Sequence, residues 1–85
     1  MYHVYILKSK VDNSLYIGYT GDIERRLSEH NRGFVKYTKK HMPWTVVYYE
    51  SYVSLEDAKS RERGLKYYGR AFGQLKSRIK HSLTK

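Results

Sequence analysis

Three short segments rich in β-branched and aromatic residues place the strongest limit on how this chain folds. Residues 1–7, 15–20 and 44–52 are rich in Val, Ile, Thr and Tyr, a composition typical of β-strands. Residues 8–14 contain an Asp-Asn-Ser sequence, which favours a turn and predicts that the first two strands form a hairpin with a longer loop. Three strands suffice for a sheet with one buried face.

Three further segments have the periodicity of amphipathic helices: residues 21–32, 54–68 and 70–83. Thr20 or Asp22 is suited to cap the first of them. The resulting order is strand, strand, helix, strand, helix, helix, without the repeated βαβ units of a parallel sheet. The sequence therefore predicts an α+β protein in which helices pack on a small antiparallel or mixed sheet.

The charge balance points to a polyanionic partner. Lys and Arg number 17 against 8 Asp and Glu, so the net charge is +9 with His neutral. A positive field of this size attracts nucleic acid, which is the first expected partner. The alternative is a soluble protein that simply carries many lysines.

Length and the absence of cysteine narrow the class of protein further. The 85 residues are enough for a single domain, 1–85. No apolar run approaches the ~20 residues that span a bilayer, so a membrane protein is excluded. There is no Cys, and the first residues lack the basic leader and apolar run of a signal peptide, so we expect a cytoplasmic protein.

Glu62 breaks the pattern of the second predicted helix. The apolar stripe runs through Leu55, Ala58 and Leu65, and Glu62 lies where this stripe requires a core-facing residue. A buried carboxylate is costly unless it is paired or coordinates a metal. From the pattern alone, a salt bridge to Arg61, Arg63 or a basic group across the fold is favoured over a metal site.

Arg26 and His30 are four residues apart and therefore project from one face of the first helix. An Arg in this position suits bidentate binding of a phosphate, and a His beside it suits phosphate binding or proton transfer. The alternative is an ordinary solvated basic face.

Two tyrosines on the predicted hairpin are further candidates. Strand parity brings Tyr5 and Tyr16 onto one face if the hairpin forms, and Gly18 lets another group approach the backbone closely. With 10 Tyr in the chain, ordinary packing is the competing interpretation. By charge alone, the expected nucleic-acid-binding residues are Arg25, Lys36, Lys39, Lys40, Arg70 and Lys76.

Taken together, these residues resemble the GIY-YIG nuclease family, and most closely its short, stand-alone bacterial (UPF0213-like) members. The resemblance begins at Val4-Tyr5-Ile6 and continues through Tyr16-Ile17-Gly18, the second half of the family signature. It extends through the helical segment 20–27 to His30-Asn31 and ends at Arg61-Glu62 and Leu65-Lys66. Several separated motifs thus occur in order over nearly the whole chain.

The resemblance implies a three-stranded antiparallel sheet flanked by about three helices. It implies a hydrolase, an endonuclease that cleaves phosphodiester bonds in DNA with one divalent cation, Mg²⁺ or Mn²⁺. Glu62 resembles the metal ligand, Arg26 the catalytic Arg, and His30 the His of some members. Tyr5 and Tyr16 resemble the motif tyrosines; which of them is the base stays open. We expect the metal, Arg26 and the positive field to favour a phenolate.

Two positions depart from the family pattern. Val4 replaces a Gly, which we expect to alter strand packing only, and no Asn follows Glu62. Because one bare domain of 85 residues has little surface left for target recognition, a nucleic-acid-binding module without turnover, or a nuclease subunit that needs a protein partner, is the competing function. A protein-interaction module built on the Tyr-rich third strand is another.

Overall fold

A computed structural model describes residues 1–84. Three antiparallel strands form one sheet in the order β2-β1-β3, with β1 at Tyr2–Ser9, β2 at Leu15–Thr20 and β3 at Trp44–Tyr52. The predicted three-stranded antiparallel sheet is confirmed. β1 runs two residues beyond its predicted end because Lys8 and Ser9 still pair with the start of β3.

Four helices complete the fold: α1 at Ile23–Asn31, α2 at Leu55–Tyr67, α3 at Gly69–Arg78 and α4 at Lys80–Leu83. The last two were predicted as a single helix over 70–83. The backbone leaves helical geometry at Ile79 (φ −117°, ψ 26°), and α4 then contacts β3. No helix within residues 1–84 is long and apolar enough to cross a membrane.

The two faces of the sheet are covered by different elements. Val4, Ile6 and Ile17 pack with α2 and α3 in the larger apolar cluster. Tyr5 and Leu7 lie on the other face, beneath α1 and the segment that leads into β3. Both faces of β1 are therefore buried, and Val4, which departs from the pattern of the resembling family, is a fully buried packing residue.

The helix ends follow local rules that the sequence displays. The Asp22 carboxylate caps α1 by accepting from the Arg25 backbone N–H at 3.0 Å, and Gly33 ends its last turn with φ +78°. The Ser54 hydroxyl caps α2 by accepting from Glu56 N–H at 3.2 Å. The predicted loop between α1 and β3 holds a short 3₁₀ helix, Lys39–His41.

Candidate active site

A buried chain of hydrogen bonds joins Tyr5, His30 and Thr38. The Tyr5 hydroxyl lies 3.0 Å from His30 Nε2, and His30 Nδ1 lies 2.8 Å from Thr38 Oγ1. The Thr38 hydroxyl donates to the Val35 carbonyl at 3.4 Å. In the tautomer that this contact favours, the Thr38 oxygen accepts from His30 Nδ1–H and Nε2 accepts the Tyr5 hydroxyl proton.

Burial keeps the His30 imidazole and the Tyr5 phenol of this network neutral. His30 is fully buried, and burial, helped by the charge of Arg26, lowers its pKa to about 4. Burial also raises the pKa of Tyr5 to about 12, although the neighbouring Arg26 lowers it. Arg26 acts in the direction expected from the sequence, but for Tyr5 the cost of burial exceeds the effect of the arginine.

The C-terminal end of α1 is fixed to β3, and this holds His30 in place. The Asn31 side chain accepts from the Trp44 backbone N–H at 2.7 Å and donates to the Trp44 carbonyl at 3.0 Å. The Trp44 indole N–H donates to the Thr38 carbonyl at 2.9 Å. Trp44 therefore anchors both the helix that carries His30 and the loop that carries Thr38.

Tyr16 lies beside Tyr5 but remains accessible at the β2 edge of the sheet. Its ring centroid is 6.4 Å from that of Tyr5 and 5.0 Å from that of His30. A Cβ atom at Gly18 would lie 2.5 Å from the Tyr5 hydroxyl oxygen and 3.1 Å from the Tyr16 ring. The absence of a side chain at Gly18 therefore leaves the space that the Tyr5 side chain occupies. This is the close approach to the Gly18 backbone that the sequence suggested.

Arg26 projects from α1 towards the Tyr5 hydroxyl and is partly exposed. Its Nη1 donates to Glu29 Oε1 at 2.9 Å, and this bond raises the pKa of Arg26 further above its ordinary value. Arg25 also pairs with Glu29, at 3.4 Å. A guanidinium has five donor N–H groups, so Arg26 keeps donors for an anionic ligand beside Tyr5.

Glu62 is largely buried, with 14% of its side chain exposed. Its carboxylate pairs with Lys66 Nζ, one helical turn further along α2, at 2.9 Å. Of the partners suggested from the sequence, Arg61 instead binds Glu50 on β3 at 2.6 Å, and within residues 1–84 neither Arg63 nor a basic group across the fold pairs with Glu62. Glu62 is near enough to Tyr5 to help raise its pKa.

A second carboxylate, Glu50, lies in a separate network at the β3 edge. It accepts from the Tyr52 hydroxyl at 2.7 Å, from the Tyr48 hydroxyl and from Arg61 Nε. Burial, the largest single influence, raises the pKa of Glu50, but the three donors together hold it below its ordinary value. Its acceptor sites are committed to neighbouring side chains.

The basic residues proposed from charge all lie on the surface. Lys36 and Lys40 flank a cavity of about 440 Å³ beside Tyr37, and Lys76 Nζ lies 4.8 Å from the centroid of the Phe72 ring. The whole set is exposed: Arg25, Lys36, Lys39, Lys40, Arg70 and Lys76. They are spread along α1, the loop after it and α3, rather than gathered at Tyr5.

The sequence model of the GIY-YIG catalytic domain matches residues 1–77. The chain belongs to the GIY-YIG family. Among similar proteins is a UPF0213 protein of Staphylococcus haemolyticus, which is 46% identical over 81% of this chain and 84% of its own length. A UPF0213 protein of Halobacterium salinarum is 42% identical over 84% of this chain and 92% of its own length.

The fold is shared with a solved relative. The solution NMR structure of a UPF0213 protein from Bacillus halodurans is 33% identical, covers 100% of this chain and 95% of its own, and has a TM-score of 0.57. Membership of the GIY-YIG family indicates a nuclease family, a nucleic-acid substrate in general and the divalent metal that such nucleases generally use.

The residues around Glu62 fit a divalent cation with few protein ligands. Residues 1–84 contain no group of three or more His, Asp or Glu side chains able to hold a metal. Glu62 already binds one cationic group, the Lys66 ammonium, at 2.9 Å. Mg²⁺ requires only one or two carboxylates when water and phosphate oxygens supply its other ligands.

Several residues of the site were not identified from the sequence. The role of Lys66 could have been predicted, because an acid and a base four residues apart on a helix commonly pair. Thr38 had no comparable signal, since its contact with His30 depends on the path of the loop after α1. Trp44 and Tyr37 were likewise not distinguished from other aromatic residues.

Proposed function

We propose that this protein is a metal-dependent endonuclease that hydrolyses phosphodiester bonds in DNA, with preference for DNA structure rather than sequence. One observation carries the proposal. The Tyr5 hydroxyl lies within electrostatic reach of both Arg26 and Glu62. These three chemically distinct groups come from a strand and two different helices.

Glu62 is the proposed ligand of the divalent cation. Hydrolysis builds negative charge on the phosphate oxygens, and a bound divalent cation neutralises that charge and orients the phosphate. The half-apolar surroundings of Glu62 strengthen its attraction for a cation. Loading the site requires that the Lys66 ammonium moves away from the carboxylate.

Arg26 is the proposed phosphate clamp. Its bond to Glu29 holds the guanidinium in place beside Tyr5. Donors that are fixed before the reaction stabilise developing negative charge without reorganisation at that moment. Arg26 therefore binds a non-bridging oxygen of the phosphodiester.

The tyrosines and His30 are proposed to handle the proton of the attacking water. Tyr16 is the accessible phenol, whereas Tyr5 is sealed and hydrogen-bonded to neutral His30. Transfer of the Tyr5 proton to His30 Nε2 would leave a buried imidazolium beside Arg26, which the low pKa of His30 disfavours, so Tyr16 is the better placed of the two phenols to contact the attacking water.

A nucleic-acid-binding module without turnover is the second candidate, and one observation favours it. The Glu62 carboxylate is ion-paired with Lys66 at 2.9 Å. If that pair persists with substrate bound, the exposed basic residues bind nucleic acid but no cation is held.

Nicking of supercoiled plasmid separates the two functions. We expect nicking with Mg²⁺ or Mn²⁺ that EDTA stops, and its loss in Glu62→Ala and Arg26→Ala. Glu56→Ala, which removes an exposed carboxylate from the same helix, serves as the control and retains activity. Salt-sensitive plasmid binding without nicking by the wild type contradicts the enzyme and supports the module.

A further inference from the structure

A cavity of about 510 Å³ opens at the β2 edge, directly beside the accessible Tyr16. Its walls combine aromatic rings, aliphatic side chains and one ammonium group. They include Leu15, Tyr16, Tyr37, Leu65, Lys66 and Phe72. None of the functions assigned above uses Tyr37 or Phe72.

The exposed Tyr37 ring is available to a flat ligand. The Tyr16 and Tyr37 centroids are 5.8 Å apart with their planes tilted by 42°. The Tyr37 side chain lies on the loop before β3 and is 74% exposed. An exposed aromatic ring held beside another ring on a cavity wall is a surface on which a planar group stacks.

Positive charge surrounds these rings. Lys66 Nζ lies 5.5 Å from the centroid of Tyr16, and Lys76 Nζ lies 4.8 Å from that of Phe72. Lys36 and Lys40 flank Tyr37 on its other side. The complementary ligand is therefore planar and aromatic on one part and anionic on another, which describes a nucleotide.

We propose that this cavity binds one unpaired nucleobase of the substrate strand, stacked against Tyr37. A base inside a duplex is stacked on both faces and paired along its edge, so only an unpaired or extruded base can enter. The substrate class is then single-stranded or locally unpaired nucleic acid. That the bound base lies next to the scissile phosphate rests on the proposed function.

Fluorescence anisotropy with labelled oligonucleotides of about 12 nucleotides tests the site, since binding surfaces of this kind cover about 4–16 nucleotides. The probes are oligothymidylate, an abasic chain of the same length and charge, and the corresponding duplex. We expect oligothymidylate to bind about tenfold more tightly than the abasic chain or the duplex.

Variants of Tyr37 locate the effect. Tyr37→Ala is expected to weaken oligothymidylate binding about tenfold and abasic-chain binding hardly at all, while Tyr37→Phe keeps the ring and the affinity. The matched control is Tyr49→Ala, an exposed tyrosine on β3 at the opposite edge of the sheet. Equal binding of the abasic chain, or equal losses in Tyr37→Ala and Tyr49→Ala, would overturn the proposal.

The two proposals fail in different ways. Glu62-dependent plasmid nicking together with unchanged binding by Tyr37→Ala removes the base site and leaves the nuclease. Base-dependent binding that Tyr37→Ala abolishes, without any nicking, supports the base site and removes the nuclease.

Discussion

Two carboxylates, Glu50 on β3 and Glu62 on α2, are buried to a similar degree, with 19% and 14% of their side chains exposed. Their partners differ. Glu50 accepts hydrogen bonds from two tyrosines and an arginine. Within residues 1–84, the contact found for the Glu62 carboxylate is the single ammonium of Lys66.

The difference lies in spare acceptor capacity. An ionised carboxylate has about four lone-pair positions. Glu50 uses most of its positions to tie β3 to α2, which is a structural role. Glu62 retains positions for a cation, and its partner within residues 1–84 is a single lysine from its own helix. Burial alone does not distinguish the two, but the count of partners does.

The largest expected effect is on catalysis. Replacing Glu62 by Gln keeps the shape but removes the charge that attracts the cation, so the cleavage rate should fall about 100-fold or more. Glu50→Gln should stay within a few-fold of the wild type. Plasmid nicking rates of both variants, measured on folded protein, check this, and equal rate losses would erase the distinction between the carboxylates.

His30 should give the next largest effect, because it belongs to a closed network like Glu50. Its folded pKa of about 4 lies below the ordinary value of 6.5. The unfolded state therefore binds a proton first, and stability falls as the pH drops from 6.5 to 4, by on the order of 3 kcal/mol. Urea unfolding at several pH values should show this loss in the wild type.

The control for this pH effect is His30→Gln, which cannot take up the proton. Its stability should depend much less on pH between 6.5 and 4. If variant and wild type lose stability in parallel over this interval, His30 is not the group that titrates.

Removing Glu50 should destabilise the protein more than removing Glu62. Glu50→Ala leaves Arg61 and two tyrosine hydroxyls without their acceptor, at a cost of about 2 kcal/mol in the free energy of unfolding. Glu62→Ala breaks only a pair within one helix and should cost less than about 1 kcal/mol. Chemical denaturation compares them, and the reverse order would show that Glu62 is the structural carboxylate.

The smallest expected effect concerns Lys66, the side chain that pairs with the Glu62 carboxylate. Lys66→Met removes the competing ammonium and keeps the aliphatic length, so affinity for Mn²⁺ should rise about threefold, the scale of a partly exposed ion pair. Titration calorimetry with Mn²⁺ measures the change. A loss of affinity would mean that Lys66 supports the site rather than competing for it.

The fold was largely predictable because local signals agreed with the tertiary structure. The strands at Leu15–Thr20 and Trp44–Tyr52 matched their composition, and Asp22 and Ser54 capped their helices as their positions indicated. The break at Ile79 was missed because neither Gly nor Pro marks it. Packing of α4 on β3 separates the two helices, and a single sequence does not display that contact.

The candidate site was predictable as a set of residues but not as a network. Glu62 stood out because it interrupts an apolar stripe, and Arg26 and His30 because they share a helix face. Whether Tyr5 is ionised was not predictable, since burial beneath α1 outweighs Arg26. The contact of Thr38 with His30 depends on the loop between α1 and β3, whose path has no local sequence signal.

Direct measurement of Mn²⁺ binding tests the central claim most simply, because it requires neither substrate nor turnover. Electron paramagnetic resonance titration of the wild type, Glu62→Gln and Glu50→Gln reports free Mn²⁺ in each case. We predict that the wild type and Glu50→Gln bind one ion and that Glu62→Gln binds none in the same concentration range. Undiminished binding by Glu62→Gln would contradict the assignment of Glu62 as the metal ligand.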